Sequence, residues 1–185
     1  MTVLAWVSSI AAVASAAAAL FAFLASRRLA KIEQDRRHDE LRPEFRISFR
    51  DVNTTAKTAK LAIELAGPSA LDRLDSIVVS FRTDGMMRDE VDNVFGPVRF
   101  EHGTDDAPSR TKSAARPINR GEFVILQVAK TTSHAEGWDD ATWAQMFRSQ
   151  PVRLRIDCTK SGREPWFVTM DVDSSPLVDI YGDVW

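Results

Sequence analysis

Cysteine, histidine and aspartate are the side chains here that could act as nucleophile, base or metal ligand. Their spacing decides how far each can be taken. The chain has one cysteine, Cys158, and three histidines, His38, His102 and His134. Nucleophilic catalysis needs a thiolate or hydroxyl beside a base that a third group orients. Cys158 ends the alternating segment Val152-Arg153-Leu154-Arg155-Ile156-Asp157-Cys158, which turns it to the same side as Val152, Leu154 and Ile156. A cysteine on an inward face is a small hydrophobe. None of the histidines is paired with it by spacing, and no catalytic residue is assigned.

Metal binding needs clustered ligands. His102, Asp105 and Asp106 share one polar stretch, and Asp139 and Asp140 stand together in another. Asp171, Asp173 and Ser175 have the alternate spacing that opens a calcium loop. The sixth position is Pro176, where that loop needs glycine, and the twelfth is Gly182, where it needs a bidentate glutamate. These acids read as solvated loop groups, and no metal ligand is assigned. Neither G-x-x-x-x-G-K nor G-x-G-x-x-G occurs, so no phosphate cradle and no cofactor is expected.

The elements that must carry these residues follow from periodicity. From Glu44 the pattern has period two: Phe45, Ile47 and Phe49 alternate with Arg46, Ser48 and Arg50. Further short runs lie at 61–65, 77–81, 98–100, 123–128, 152–156 and 166–172. Gly67-Pro68, Asp84-Gly85, Gly96-Pro97, Arg120-Gly121 and Ser161-Gly162 punctuate the chain between them. Short alternating runs bounded by turn residues predict half-buried strands. The fold class is therefore mainly β, an antiparallel β-sandwich of about seven strands over 44–185. One short helix is expected over 138–147, where Trp143, Met146 and Phe147 share a face. The stretch 101–119 is polar with two prolines, and reads as a long exposed loop.

The N-terminal part differs. Residues 3–26 are apolar or small throughout, and Arg27 and Arg28 follow at once. A helix of that length spans about 36 Å, against a hydrocarbon core of about 30 Å. No basic residue precedes the run, as a cleavable leader would require. The expectation is a retained transmembrane anchor over 1–26, with Trp6 as an interfacial residue. A basic helical stalk over 27–43 follows, ended by Pro43. Arg27, Arg28, Lys31, Arg36 and Arg37 outnumber Glu33 and Asp35 beside the run, and basic flanks stay cytoplasmic. This places the N-terminus outside and the β-domain in the cytoplasm at the cell membrane. A lone cysteine without a disulfide framework suits that compartment.

Formal charge is −2, and the stalk is basic, so the remainder is acidic. Phosphate affinity rests on clustered Lys and Arg, so nucleic acid is not an expected partner. The expected partners are the lipid bilayer and an unidentified protein; the oligomeric state is not legible in the sequence.

The segments Arg36-Arg37-His38-Asp39-Glu40-Leu41-Arg42-Pro43 and Gly67-Pro68-Ser69-Ala70-Leu71-Asp72-Arg73-Leu74-Asp75, behind an Ala-rich N-terminus, give a layout that resembles small single-pass membrane proteins of high-GC actinobacteria. The resemblance implies an anchor, a stalk and a sandwich, and it implies no activity. The functional expectation is a membrane-anchored, non-enzymatic interaction module at the inner membrane face. A C2-like sandwich responsive to lipid or metal is the second reading, and a hydrolase the third.

Overall fold

The computed structural model describes residues 3–82, 98–101, 109, 111–131, 145 and 150–181, with side chains from 19 to 180 among them. It divides into two units, Met1–Leu41 and Arg42–Trp185.

The first unit is one helix, α1, Val3–Glu40. No glycine or proline interrupts it, and alanine is the best helix former. Arg37 and His38 in its last turn complement the partial negative charge of the C-terminus. Arg37 Nε meets Glu33 Oε1 at 3.0 Å and Arg36 Nε meets Glu40 Oε1 at 2.9 Å, both one turn apart. The expected transmembrane, single-pass signal anchor is corrected here. Among the described residues no helix is long and apolar enough to cross a membrane. From Ala19 onward the large apolar residues before the charges are Leu20, Phe21, Phe23 and Leu24, and Arg27 and Arg28 then interrupt the surface. The side chains of 3–18, Trp6 included, lie outside the described residues.

Among its described residues the second unit holds eight strands: β1 Glu44–Asn53, β2 Thr58–Gly67, β3 Arg73–Phe81, β4 Val98–Phe100, β5 Arg116–Asn119, β6 Phe123–Lys130, β7 Val152–Thr159 and β8 Trp166–Val172. They form two four-stranded sheets, ordered β1-β2-β6-β4 and β5-β3-β7-β8. Every pairing is antiparallel. In the first sheet Phe45, Phe49, Leu61, Ile63, Leu65, Leu126, Val128 and Phe100 are buried. In the second, Ile77, Val79, Phe81, Leu154, Ile156, Cys158, Trp166 and Val172 are buried. The Phe81 ring of one sheet lies 4.5 Å from the Phe100 ring of the other. A 3₁₀ helix, η1 Ser175–Tyr181, follows β8 and packs on β1, burying Leu177 and Ile180.

The turns are built from the residues the sequence marks. Gly121 and Gly162 have φ of 78° and 77°, where a side chain is strained. The turn at 120–122 ties the sheets together: Arg120 N–H donates to Asp72 O at 2.7 Å, and Gly121 N–H to Leu65 O at 3.0 Å.

Two further expectations change. The stretch 101–119 is not one exposed loop: Arg116–Asn119 is strand β5 with Ile118 buried, and Ser113 is 2% exposed. Ser113 continues the edge of β3. Its N–H donates to Val79 O at 2.8 Å, and its hydroxyl accepts from Val79 N–H at 2.9 Å. The stretch looks polar because one apolar side chain is all that a four-residue edge strand turns inward. Of the helix expected over 138–147, only Gln145 lies within the described residues, and it is helical.

Candidate interaction surface

Cys158 points into the core, fully buried, and burial pushes its thiol up to about 12, with Asp157 adding to the rise. A thiol held in that state is a poor nucleophile. Asp173 is engaged locally: its oxygens accept from Ser175 N–H at 2.9 Å and Ser175 Oγ at 2.6 Å, which opens η1. The Ser175 hydroxyl and then its N–H hold the Asp173 carboxyl below the usual range. Asp171 faces Arg153 at 4.0 Å across β7 and β8. Among the described residues no group of three His, Cys, Asp or Glu side chains could hold a metal ion. His102, Asp105, Asp106, His134, Asp139 and Asp140 lie outside the described residues. The expected topology residues Arg27, Arg28, Lys31, Arg36 and Arg37 are all on the exposed surface of α1, with Arg27 stacked 4.5 Å over the Phe23 ring.

What the second unit offers instead is outward-facing apolar surface. In the first sheet, register aligns Arg46, Glu64 and Phe123 in one outer row and Ser48, Ala62 and Ile125 in the next. Arg50 and Lys60 lead the third row, with Gln127 opposite. Phe123 is 45% exposed and Ile125 41%. The Arg50 guanidinium lies 4.6 Å over the Phe123 ring, and its Nε donates to Ser48 Oγ at 3.3 Å. Arg50 therefore reaches back along β1 and across the sheet, while the small Ala62 lies buried between Ser48 and Ile125.

No match is found among family models, curated proteins or solved structures.

The second sheet repeats the arrangement. Register aligns Val78, Asp157 and Phe167 in one outer row and Ser80, Arg155 and Thr169 in the next. Phe167 is 54% exposed. Arg155 sits 4.7 Å over its ring and donates from Nε to Asp157 Oδ1 at 2.6 Å. Arginine stacked on an aromatic face gains cation–π attraction of about 0.5–1 kcal/mol at exposed sites. It also holds the ring in one orientation.

Sequence reading missed Phe123, Ile125 and Phe167 because each lies in a run apolar on both faces: Phe123-Val124-Ile125-Leu126 and Trp166-Phe167-Val168. Such a run reads as a strand buried on both sides. The available signal is that no long helical pattern lies between the strand runs from Glu44 onward.

Proposed function

We propose that the unit Arg42–Trp185 is a non-enzymatic interaction module whose protein partner docks on the outer face of the first sheet, around Phe123 and Ile125. The observation that carries this reading is the pair itself. Two large apolar side chains stand two residues apart on β6, each more than two-fifths exposed, with Arg50 laid on one of them. Aromatic and arginine anchors in an apolar centre, ringed by polar groups, are the composition of binding hot spots. Arg46, Lys60, Glu64 and Gln127 supply the ring here. Covering the half of Phe123 and Ile125 still open to water gains on the order of 1 kcal/mol each.

The test is site-specific photocrosslinking in the native cell. A benzophenone amino acid at Phe123 or Ile125 should give a discrete crosslinked species containing a second protein. The same probe at Arg73, exposed on the other sheet, should give none. Equal crosslinking at all three positions, or none at 123 and 125, overturns the reading.

A further inference from the structure

We propose that β8 is a pairing edge, and that its occupant is β8 of a second copy of this chain, antiparallel about a two-fold axis at Thr169. The four outermost strands differ in how they are finished. β4 has three residues, and β5 has four and contains Pro117. β1 is interrupted by register shifts at both ends, has Asp51 at φ 48°, and carries η1 against it. These are devices that discourage strand addition. Among the described residues β8 shows none of them. It runs seven residues in unbroken register with β7, without proline, glycine or lysine. Among the described residues it ends its sheet.

Its hydrogen-bonding direction follows from alternation. Arg82 N–H donates to Arg153 O at 2.9 Å, so Arg153 turns its backbone groups toward β3. In an antiparallel ladder such residues alternate. Arg155 and Asp157 therefore also face β3, while Val152, Leu154, Ile156 and Cys158 bond to β8 through Val172, Met170, Val168 and Trp166. The N–H and C=O groups of Phe167, Thr169 and Asp171 consequently point away from the sheet. These three residues also turn their side chains to its outer face.

Of the symmetric registers open to this edge, the one centred on Thr169 engages all three residues. It sets Thr169 opposite Thr169 of the second copy and Phe167 opposite the second copy's Asp171. Each such pair exchanges two backbone hydrogen bonds. The charges then agree. Each copy presents an arginine-backed ring at one end of the edge and a carboxylate at the other. Arg155 already leans over Phe167. The second copy's Asp171 would lie one strand spacing beyond that ring, about 4.8 Å away. It can accept from Arg155 while its own Arg153 stays beside it. No like charges face each other, and a threonine pair is a favourable cross-strand neighbour. The result is one continuous eight-stranded sheet built from two chains.

The experiment uses the full chain. Thr169→Cys places two thiols opposite each other at about 5.5 Å between Cα atoms, within disulfide range. The one native cysteine, Cys158, is buried and leaves the background clean. Mild oxidation should convert Thr169→Cys to a covalent dimer, while Phe167→Cys, four residues from its own symmetry mate, should not crosslink. In analytical ultracentrifugation the wild type should sediment as a dimer, and Thr169→Lys, which opposes two charges on the axis, as a monomer with an unchanged circular dichroism spectrum. A monomeric wild type overturns the proposal, as does a Thr169→Lys variant that stays dimeric or equal crosslinking at 167 and 169. A dimer held by α1 would survive Thr169→Lys and so be recognised.

Discussion

Asp75 shows how a single exposed side chain can bear on stability. Its Oδ2 accepts from Ser161 N–H at 2.6 Å and Ser161 Oγ at 2.7 Å, joining β3 to the turn after β7. The Ser161 hydroxyl, then its N–H, hold the carboxyl below its ordinary value of 3.8. A group depressed in the folded state stabilises the fold above its unfolded pKa, and that share is lost as pH falls through the folded value. Asp75→Asn should therefore lower the urea midpoint by a constant amount near neutral pH. The difference from wild type should shrink as the pH drops below 3.8. A difference that is the same across the acid limb would mean that the charge of Asp75 contributes nothing. Cys158 is the contrasting residue. Alternation alone turned it inward, and its burial follows from that parity.

At the scale of elements, the seven alternating segments lie within β1–β4 and β6–β8. They were legible because each carries at least two inward apolar side chains. β5 was not, because Ile118 is its sole buried residue. Sheet order was not legible either, because pairing is chosen by side-chain fit between segments far apart in the chain. The apolar N-terminal run misled in the opposite way: hydropathy suggested a span, yet among the described residues no helix is long and apolar enough to cross a membrane. Of the candidate surface, the residues Phe123, Ile125 and Phe167 were in view, but which face they took depends on what covers the sheet. The segment before β5 supports a prediction at this scale. Ser113→Ala leaves the buried Val79 N–H without its 2.9 Å partner. The expected loss is about 1–3 kcal/mol in urea unfolding. A variant as stable as wild type would mean that residues 111–115 contribute no more than an unpaired loop would.

At the scale of the molecule, the division after Leu41 predicts an independent folding unit. A fragment spanning 42–185 keeps both sheets, the Phe81–Phe100 contact and η1. It should give a strand-dominated far-ultraviolet circular dichroism spectrum and a single cooperative melt. A helix-dominated spectrum, or a fragment that melts without cooperativity, would show that α1 is needed to complete the core. Chain order also crosses repeatedly between the layers. β1 and β2 belong to the first sheet, β3 to the second, β4 to the first, β5 to the second, β6 to the first, and β7 and β8 to the second.

That crossing order gives the two layers different birthdays on the ribosome. The first has all its strands once Lys130 is made, whereas the second waits for Val172. At about 5–20 residues per second the gap lasts some 2–8 s. Until β7, Val152–Thr159, is made within that interval, β3 has β5 on one side and nothing for the other, and its Ile77, Val79 and Phe81 form an apolar strand with an open flank. A stop codon or a pause between 130 and 152 would release or hold the chain in that state. Such a species exposes a sticky strand edge of the kind that aggregates or recruits a chaperone. Slow decoding just upstream of β7 is thus the place where translation speed, rather than sequence, would decide the yield of this protein.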